Sequence, residues 1–183
     1  FGNLGAGIYF ESSTGGKKRD NNTSQGNRIA DNQNTCISQP GGTANTITQN
    51  TIHNNSGLGI DVVGFTNNDG ALTPSDPNHA IDTPIITQSN LVGTSLSLAG
   101  FVGSAPNQSA FANAQVEFFV SDGSGEGKRY LGFLTTDANG NYSGLLTVAG
   151  VVDTDKVTAT ATMTGVGTSE FGNEYEVNVA PII

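Results

Sequence analysis

Tryptophan is absent from this 183-residue chain, Cys36 is its lone cysteine and Met163 its lone methionine. A single cysteine excludes an internal disulfide, the usual staple of small secreted domains. Charged residues are scarce at 13%, and basic ones scarcest, with seven Lys and Arg against sixteen Asp and Glu. The resulting net charge of -9 would repel phosphate, which excludes a nucleic-acid partner. No apolar run approaches the roughly 18 residues that a membrane-spanning helix needs. Strong helix formers are thin throughout, so a helical architecture is not expected. What the chain has instead is 25 Gly, 20 Asn and 21 Thr. Turn formers and β-branched residues, with 35% hydrophobic content to build a core, point to an ordered, acidic, all-β protein.

A short repeat organises the first part. The segment Asn22-Thr23-Ser24-Gln25-Gly26-Asn27-Arg28-Ile29-Ala30-Asp31-Asn32 aligns with Asn45-Thr46-Ile47-Thr48-Gln49-Asn50-Thr51-Ile52-His53-Asn54-Asn55. The offset is 23 residues, and it carries Ile37 onto Ile60. Gly5-Ala6-Gly7-Ile8-Tyr9 resembles Gly57-Leu58-Gly59-Ile60-Asp61, but Ile8 and Ile37 are 29 apart. An insertion is therefore required, and the polar stretch Glu11 to Asn21, with Lys17-Lys18-Arg19, supplies it as a loop. A period in the low twenties with Asn and Gly turns suits one coil of a parallel β-helix, each Ile stacked on the next. The last coil of such a solenoid needs a cap.

Residues 63–83 break the repeat with turn chemistry, including Pro74 and Pro77. From about Thr83 the pattern becomes alternation between turns, which predicts an antiparallel sandwich. Expected strands are Ile85–Gln88, Ser95–Val102, Ala114–Ser121, Tyr130–Thr136, Tyr142–Val148, Lys156–Thr164 and Tyr175–Val179. Asp137-Ala138-Asn139-Gly140-Asn141 reads as a hairpin turn, its Asn-Gly supplying the positive φ. In Val157-Thr158-Ala159-Thr160-Ala161-Thr162-Met163 the threonines are expected on a solvent face. Seven strands in roughly 100 residues fit an immunoglobulin-like sandwich, though five could make a small barrel. The expected fold class is thus the end of a right-handed parallel β-helix, residues 1–82, followed by an antiparallel β-sandwich, 83–183.

An ordered set of short elements sharpens this. It comprises Asn50-Thr51-Ile52-His53-Asn54-Asn55, Gly57-Leu58-Gly59-Ile60-Asp61, Thr73-Pro74-Ser75-Asp76-Pro77, Val116-Glu117-Phe118-Phe119 and Gly125-Glu126-Gly127. It continues with Tyr130-Leu131-Gly132, Thr136 to Asn141, Thr158 to Thr162 and Thr168-Ser169-Glu170-Phe171. In this the chain resembles bacterial right-handed parallel β-helix repeat surface proteins whose helix runs into a small C-terminal sandwich. The resemblance implies large, secreted or surface-attached, multidomain proteins, and it implies no reaction. It differs in one place, where Gly165-Val166-Gly167 replaces the acidic turn often found before Thr-Ser-Glu-Phe.

Chemistry-bearing residues are few. Asp153 and Asp155, with Asp122 or Glu126 from a neighbouring loop, could hold a calcium ion. The start of a calcium loop at Asp137-x-Asn139-x-Asn141 fails where Tyr142 replaces Gly and Val148 replaces Glu, leaving a hairpin. Gly123-x-Gly125-x-Gly127 lacks a following helix to cradle phosphate and reads as a flexible hairpin tip above Lys128-Arg129. Polysaccharide-cleaving β-helices use clustered carboxylates with basic residues, for which Asp31, Asp61, His53 and Arg28 are the candidates. Cys36 aligns with Gly59 and is expected to be a packed thiol.

The expectation is a noncatalytic structural or adhesive segment of a large secreted or cell-surface bacterial protein. The segment looks like a piece of a longer chain, with Ala180-Pro181-Ile182-Ile183 leading on. Its expected partners are other domains of that chain, surface glycans or other surface proteins. The competing expectation is the C-terminal part of a polysaccharide lyase or glycosidase with a carbohydrate-binding sandwich. Only Tyr130, Tyr142, Tyr175 and some Phe could form its aromatic platform.

Overall fold

The computed structural model describes residues 4–10, 20–63 and 68–179. The loop expected over 11–21 falls mostly outside these residues, and the linker over 180–183 entirely so. The chain is all-β, in several sheets with almost no helix.

Seven short strands come first: β1 (Ile8–Tyr9), β2 (Thr23–Gln25), β3 (Arg28–Ala30), β4 (Ile37–Gln39), β5 (Thr46–Thr48), β6 (Thr51–His53) and β7 (Ile60–Val62). Their pairings are parallel, β2 with β5, β3 with β6, and β1, β4 and β7 as one sheet. Thr23 lies opposite Thr46, Arg28 opposite Thr51 and Ile37 opposite Ile60. One 23-residue offset thus governs three ladders, and Ile8 meets Ile37 across the longer interval.

The turns explain how each repeat closes. Asn21, Gly26 and Asp31 have positive φ, and so do Ala44, Gln49 and Asn54 one repeat later. Each left-handed residue bends the chain at a strand end and is followed by an asparagine. In each stacked pair the later asparagine accepts, through its Oδ1, both the N–H and the Nδ2–H of the earlier one. Asn45 does this for Asn22 (3.0 and 2.9 Å), Asn50 for Asn27 (2.9 and 3.1 Å) and Asn55 for Asn32 (3.0 and 2.8 Å). Inside the ladders Ile29, Cys36, Ile37, Ile47, Ile52, Ile60 and Val62 form one apolar cluster.

Beyond a left-handed turn at Asn78, His79 and Ala80 the strands lengthen. They are β8 (Pro84–Val92), β9 (Ser95–Val102), β10 (Gln115–Ser121), β11 (Gly127–Thr135), β12 (Asn141–Thr147), β13 (Lys156–Met163), β14 (Gly167–Thr168), β15 (Tyr175–Glu176) and β16 (Asn178–Val179). One sheet runs β11-β10-β13-β14 with β15 also on β13; the other runs β12-β9-β8-β16. Leu96 and Leu98 of β9 meet Val116 and Phe118 of β10 and Ala159 of β13 in a shared core, which makes a β-sandwich. β14 has no expected counterpart; each expected strand has an observed one within a few residues, except that Tyr175–Val179 is interrupted at Val177. That residue enters the core and donates its N–H to Asp155 O (3.0 Å).

The threonine face of β13 departs from expectation. Thr158 and Thr160 are buried, not solvent-facing, because that face lies against the last repeat. β10 is enclosed on both sides for the same reason. Its Phe118 points into the sandwich, while Phe119 joins Ile47, Ile52 and Ile60 at the seam.

Candidate functional site

The seam between the last repeat and the sandwich is where the polar chemistry of the chain collects. An open ladder end exposes backbone N–H groups that cost free energy if buried unpaired. Here side chains of the following segment fill the places that another repeat would take. Asn78, fully buried, accepts the N–H of Asn45 (3.1 Å), as Asn45 does for Asn22. Glu126, also buried, accepts the Asn55 N–H (2.9 Å) and Nδ2–H (3.0 Å), taking the place of a further ladder asparagine. Thr168 Oγ1 accepts the Ile47 N–H (2.9 Å), and Glu170 accepts the Val62 N–H (2.9 Å). Glu117 receives the Gln49 N–H (2.9 Å) and the Thr48 hydroxyl (2.5 Å). Asp122 receives the Asn54 N–H (2.9 Å).

Between these contacts the seam is apolar. Phe171 packs into the repeat cluster and meets Phe119 edge-on, with ring centroids 5.6 Å apart. Gly59 makes room for it, since a Cβ there would sit 2.9 Å from the Phe171 ring.

Four carboxylates therefore face main-chain donors, and the titration of three of them, Glu126, Glu170 and Asp122, divides. Burial, aided by the Asp122 charge, pushes Glu126 up to about 7 against the pull of the Asn55 hydrogen bonds. Burial also raises Glu170 to about 7, with Asp61 adding to it and the Val62 N–H opposing. Burial acts against Asp122 too, but donors from Asn54, Ser124 and Glu126 outweigh it and hold that carboxyl below its usual range.

The hairpin tip at 123–127 is thereby pinned, in contrast to the flexible tip expected. Its Asp122 and Glu126 hold the last repeat, and its Gly125 N–H donates to Glu174 (3.0 Å). Glu174 also takes the Lys156 ammonium (3.1 Å) and the Ser121 hydroxyl. Of the four calcium candidates, Asp122 and Glu126 meet at the seam, while Asp153 is exposed and Asp155 closes its own turn on the Val152 N–H (3.0 Å). Among the described residues no three His, Cys, Asp or Glu side chains gather as a metal-ligand set.

Of the residues considered for polysaccharide cleavage, three gather along the β3–β6 ladder and the fourth, Asp61, lies apart. Arg28 pairs with Asp31 at 3.8 Å on an exposed turn, His53 stacks on Ala30, and Asp61 stacks on Ser38 in a different sheet. Cys36 is buried, its thiol pushed up to about 12 by burial first and by Glu126 second. Tyr142 belongs to the core, where its hydroxyl donates to Ile85 O (3.0 Å), so it offers no aromatic platform.

No protein-family model matches the chain. Its structure is similar to the adhesin domain of Epf from Streptococcus pyogenes, with a TM-score of 0.40 and 12% identity over 56% of this chain. The match spans 34% of that protein's chain. A likeness at this level assigns no role to any residue. Among the described residues no helix is long and apolar enough to cross a membrane.

The capping role of the seam residues escapes sequence reasoning, which singles out Asp122 and Glu126 only as calcium candidates. A signal exists nonetheless: Glu117, Glu126, Thr168, Glu170 and Phe171 all lie in the short elements that carry the family resemblance.

Proposed function

We propose that the chain is the end of a right-handed parallel β-helix closed by an immunoglobulin-like sandwich. It serves as a noncatalytic structural and adhesive segment of a large secreted or cell-surface bacterial protein. The observation that carries this reading is the substitution of side chains for strands at the last rung. Asn78 and Glu126 end the ladders that Asn22 and Asn32 begin, while Thr168 and Glu170 take the strand N–H groups of Ile47 and Val62, so one module terminates the other. Polar groups here are spent on holding two modules together rather than assembled around a reacting atom. A rigid joint of this kind suits a part that positions other domains outside the cell.

Two assays on the purified chain test the reading. Beads coated with it are expected to adhere to cell or matrix surfaces, and acidic polysaccharides are expected to release no reducing sugar. Sugar release would overturn the noncatalytic assignment. Beads that fail to adhere would remove its adhesive part.

A further inference from the structure

A second feature crosses the seam on its outer side. A groove of about 490 Å³ is walled on one side by the β2–β5 ladder and on the other by β10, β11 and β13 with the turn after it. The volume lies within the roughly 300–1,000 Å³ of small-ligand sites. Its lining contains no charged side chain and no aromatic ring, with hydroxyls and amides predominating.

Most of these polar groups have no internal work. Among the described residues, no hydrogen bond engages the side chains of Thr23, Thr46, Asn113, Thr135 or Thr164, all of which line the groove. Thr23 and Thr46 occupy equivalent places in a parallel ladder, so their positions repeat at the strand spacing of about 4.8 Å. Their outward direction is fixed by Ser24 and Ile47, the neighbours that turn inward. Gln115 is held in place, its Nε2–H donating to Glu117 (3.1 Å), the same carboxylate that grips Thr48 and Gln49 across the seam. The groove floor is thus built by the docking itself. Met163 adds one soft apolar surface.

We propose that this groove binds an uncharged oligosaccharide. Uncommitted hydroxyls and amides match a neutral polyhydroxylated chain, and a regularly spaced threonine pair can meet successive parts of one. The absence of basic residues from the lining, within a chain of net charge -9, selects against acidic saccharides. Because the walls come from both modules, a bound saccharide also braces the joint. The proposal deepens the adhesive reading above and rests on it.

Titration of the ¹⁵N-labelled chain with neutral gluco- and manno-oligosaccharides, and with an oligogalacturonate as the acidic counterpart, is the test. A neutral oligosaccharide is expected to shift the amide signals of Thr46, Gln115, Thr135 and Thr164, while the acidic one leaves them unmoved. Thr46→Val with Thr135→Val, one change on each wall and both in strands that accept valine, should weaken binding at least about tenfold. Their spectra away from the groove should be unchanged, which separates lost binding from lost folding. Silence from every neutral oligosaccharide, equal binding of the acidic one, or full affinity in the double variant would each overturn the assignment. If beads still adhere while the titration is silent, the site is wrong and the adhesive reading stands.

Discussion

Asn78 Oδ1 accepts the N–H of Asn45 at 3.1 Å, and Asn45 Oδ1 accepts the N–H of Asn22 at 3.0 Å. The two bonds are the same move, made once within the repeats and once by the segment that ends them. Asn78 also shares its Nδ2 hydrogens among Gln39 Oε1 (3.0 Å), Asn45 O (3.0 Å) and Thr168 O (2.9 Å). It therefore ties the last repeat to β14 from a fully buried position.

Asn78→Ala is expected to cost about 3–5 kcal/mol, because several buried partners lose their bonds together and the left-handed backbone loses a tolerant residue. Urea unfolding would measure it. A loss under about 1 kcal/mol, the worth of one ordinary hydrogen bond, would show that the ladder does not extend across the seam.

Glu126 and Glu170 set the pH response. Between the ordinary 4.5 and about 7 the folded chain keeps protons on them that the unfolded chain has released. Stability therefore falls as pH rises through that window, by up to about 1.4 kcal/mol per pH unit for Glu126 and less for the more accessible Glu170. At lower pH, Asp122 and Glu174, both held below their usual values, begin to protonate and stability falls again. Melting temperature should peak near about pH 4, and Glu126→Gln with Glu170→Gln should flatten the decline above it. A flat profile in the parent chain would contradict the seam electrostatics.

Thr160 offers a gain. Its Oγ1 is buried without a hydrogen-bond partner among the described residues, facing Ile47, Ile52 and Ile60. Thr160→Val keeps the shape and removes the unpaired hydroxyl, so it should stabilise the chain by about 1 kcal/mol. A destabilised variant would mean that the hydroxyl has a partner, such as a bound water.

Calcium should leave the melting temperature where it is. Asp122 and Glu126 already spend carboxylate oxygens on the last repeat, and Asp155 on its own turn. Binding to the folded chain alone would raise the melting temperature with calcium concentration. A rise abolished by Asp153→Asn or Asp155→Asn would place the ion at that loop after all.

Repetition and alternation are local patterns, and those parts of the fold are legible in the sequence. The offset that carries Ile37 onto Ile60 is the register of β4 and β7, and Asp137-Ala138-Asn139-Gly140 is the turn between β11 and β12. The seam is not local. A threonine at 160 in an alternating strand reads as solvent-facing until a second module covers it. Glu117 reads as a surface acid until its partners, 68 and 69 residues away, arrive. The consecutive Phe118 and Phe119 are the exception, since apolar side chains on both faces of one strand already require two packed neighbours.

The equivalence of the asparagine rungs makes this architecture extensible in whole steps. The sandwich meets the last repeat through its ladder donors and through the room that Gly59 leaves for Phe171. Adding one more copy of the last 23-residue unit would carry the sandwich outward by about 4.8 Å and leave each contact intact. Adding a fraction of a unit inside the strands would turn the isoleucines out of register, whereas the longer interval before Ile37 keeps Ile8 in its place. Reach in such a protein is therefore counted in integers.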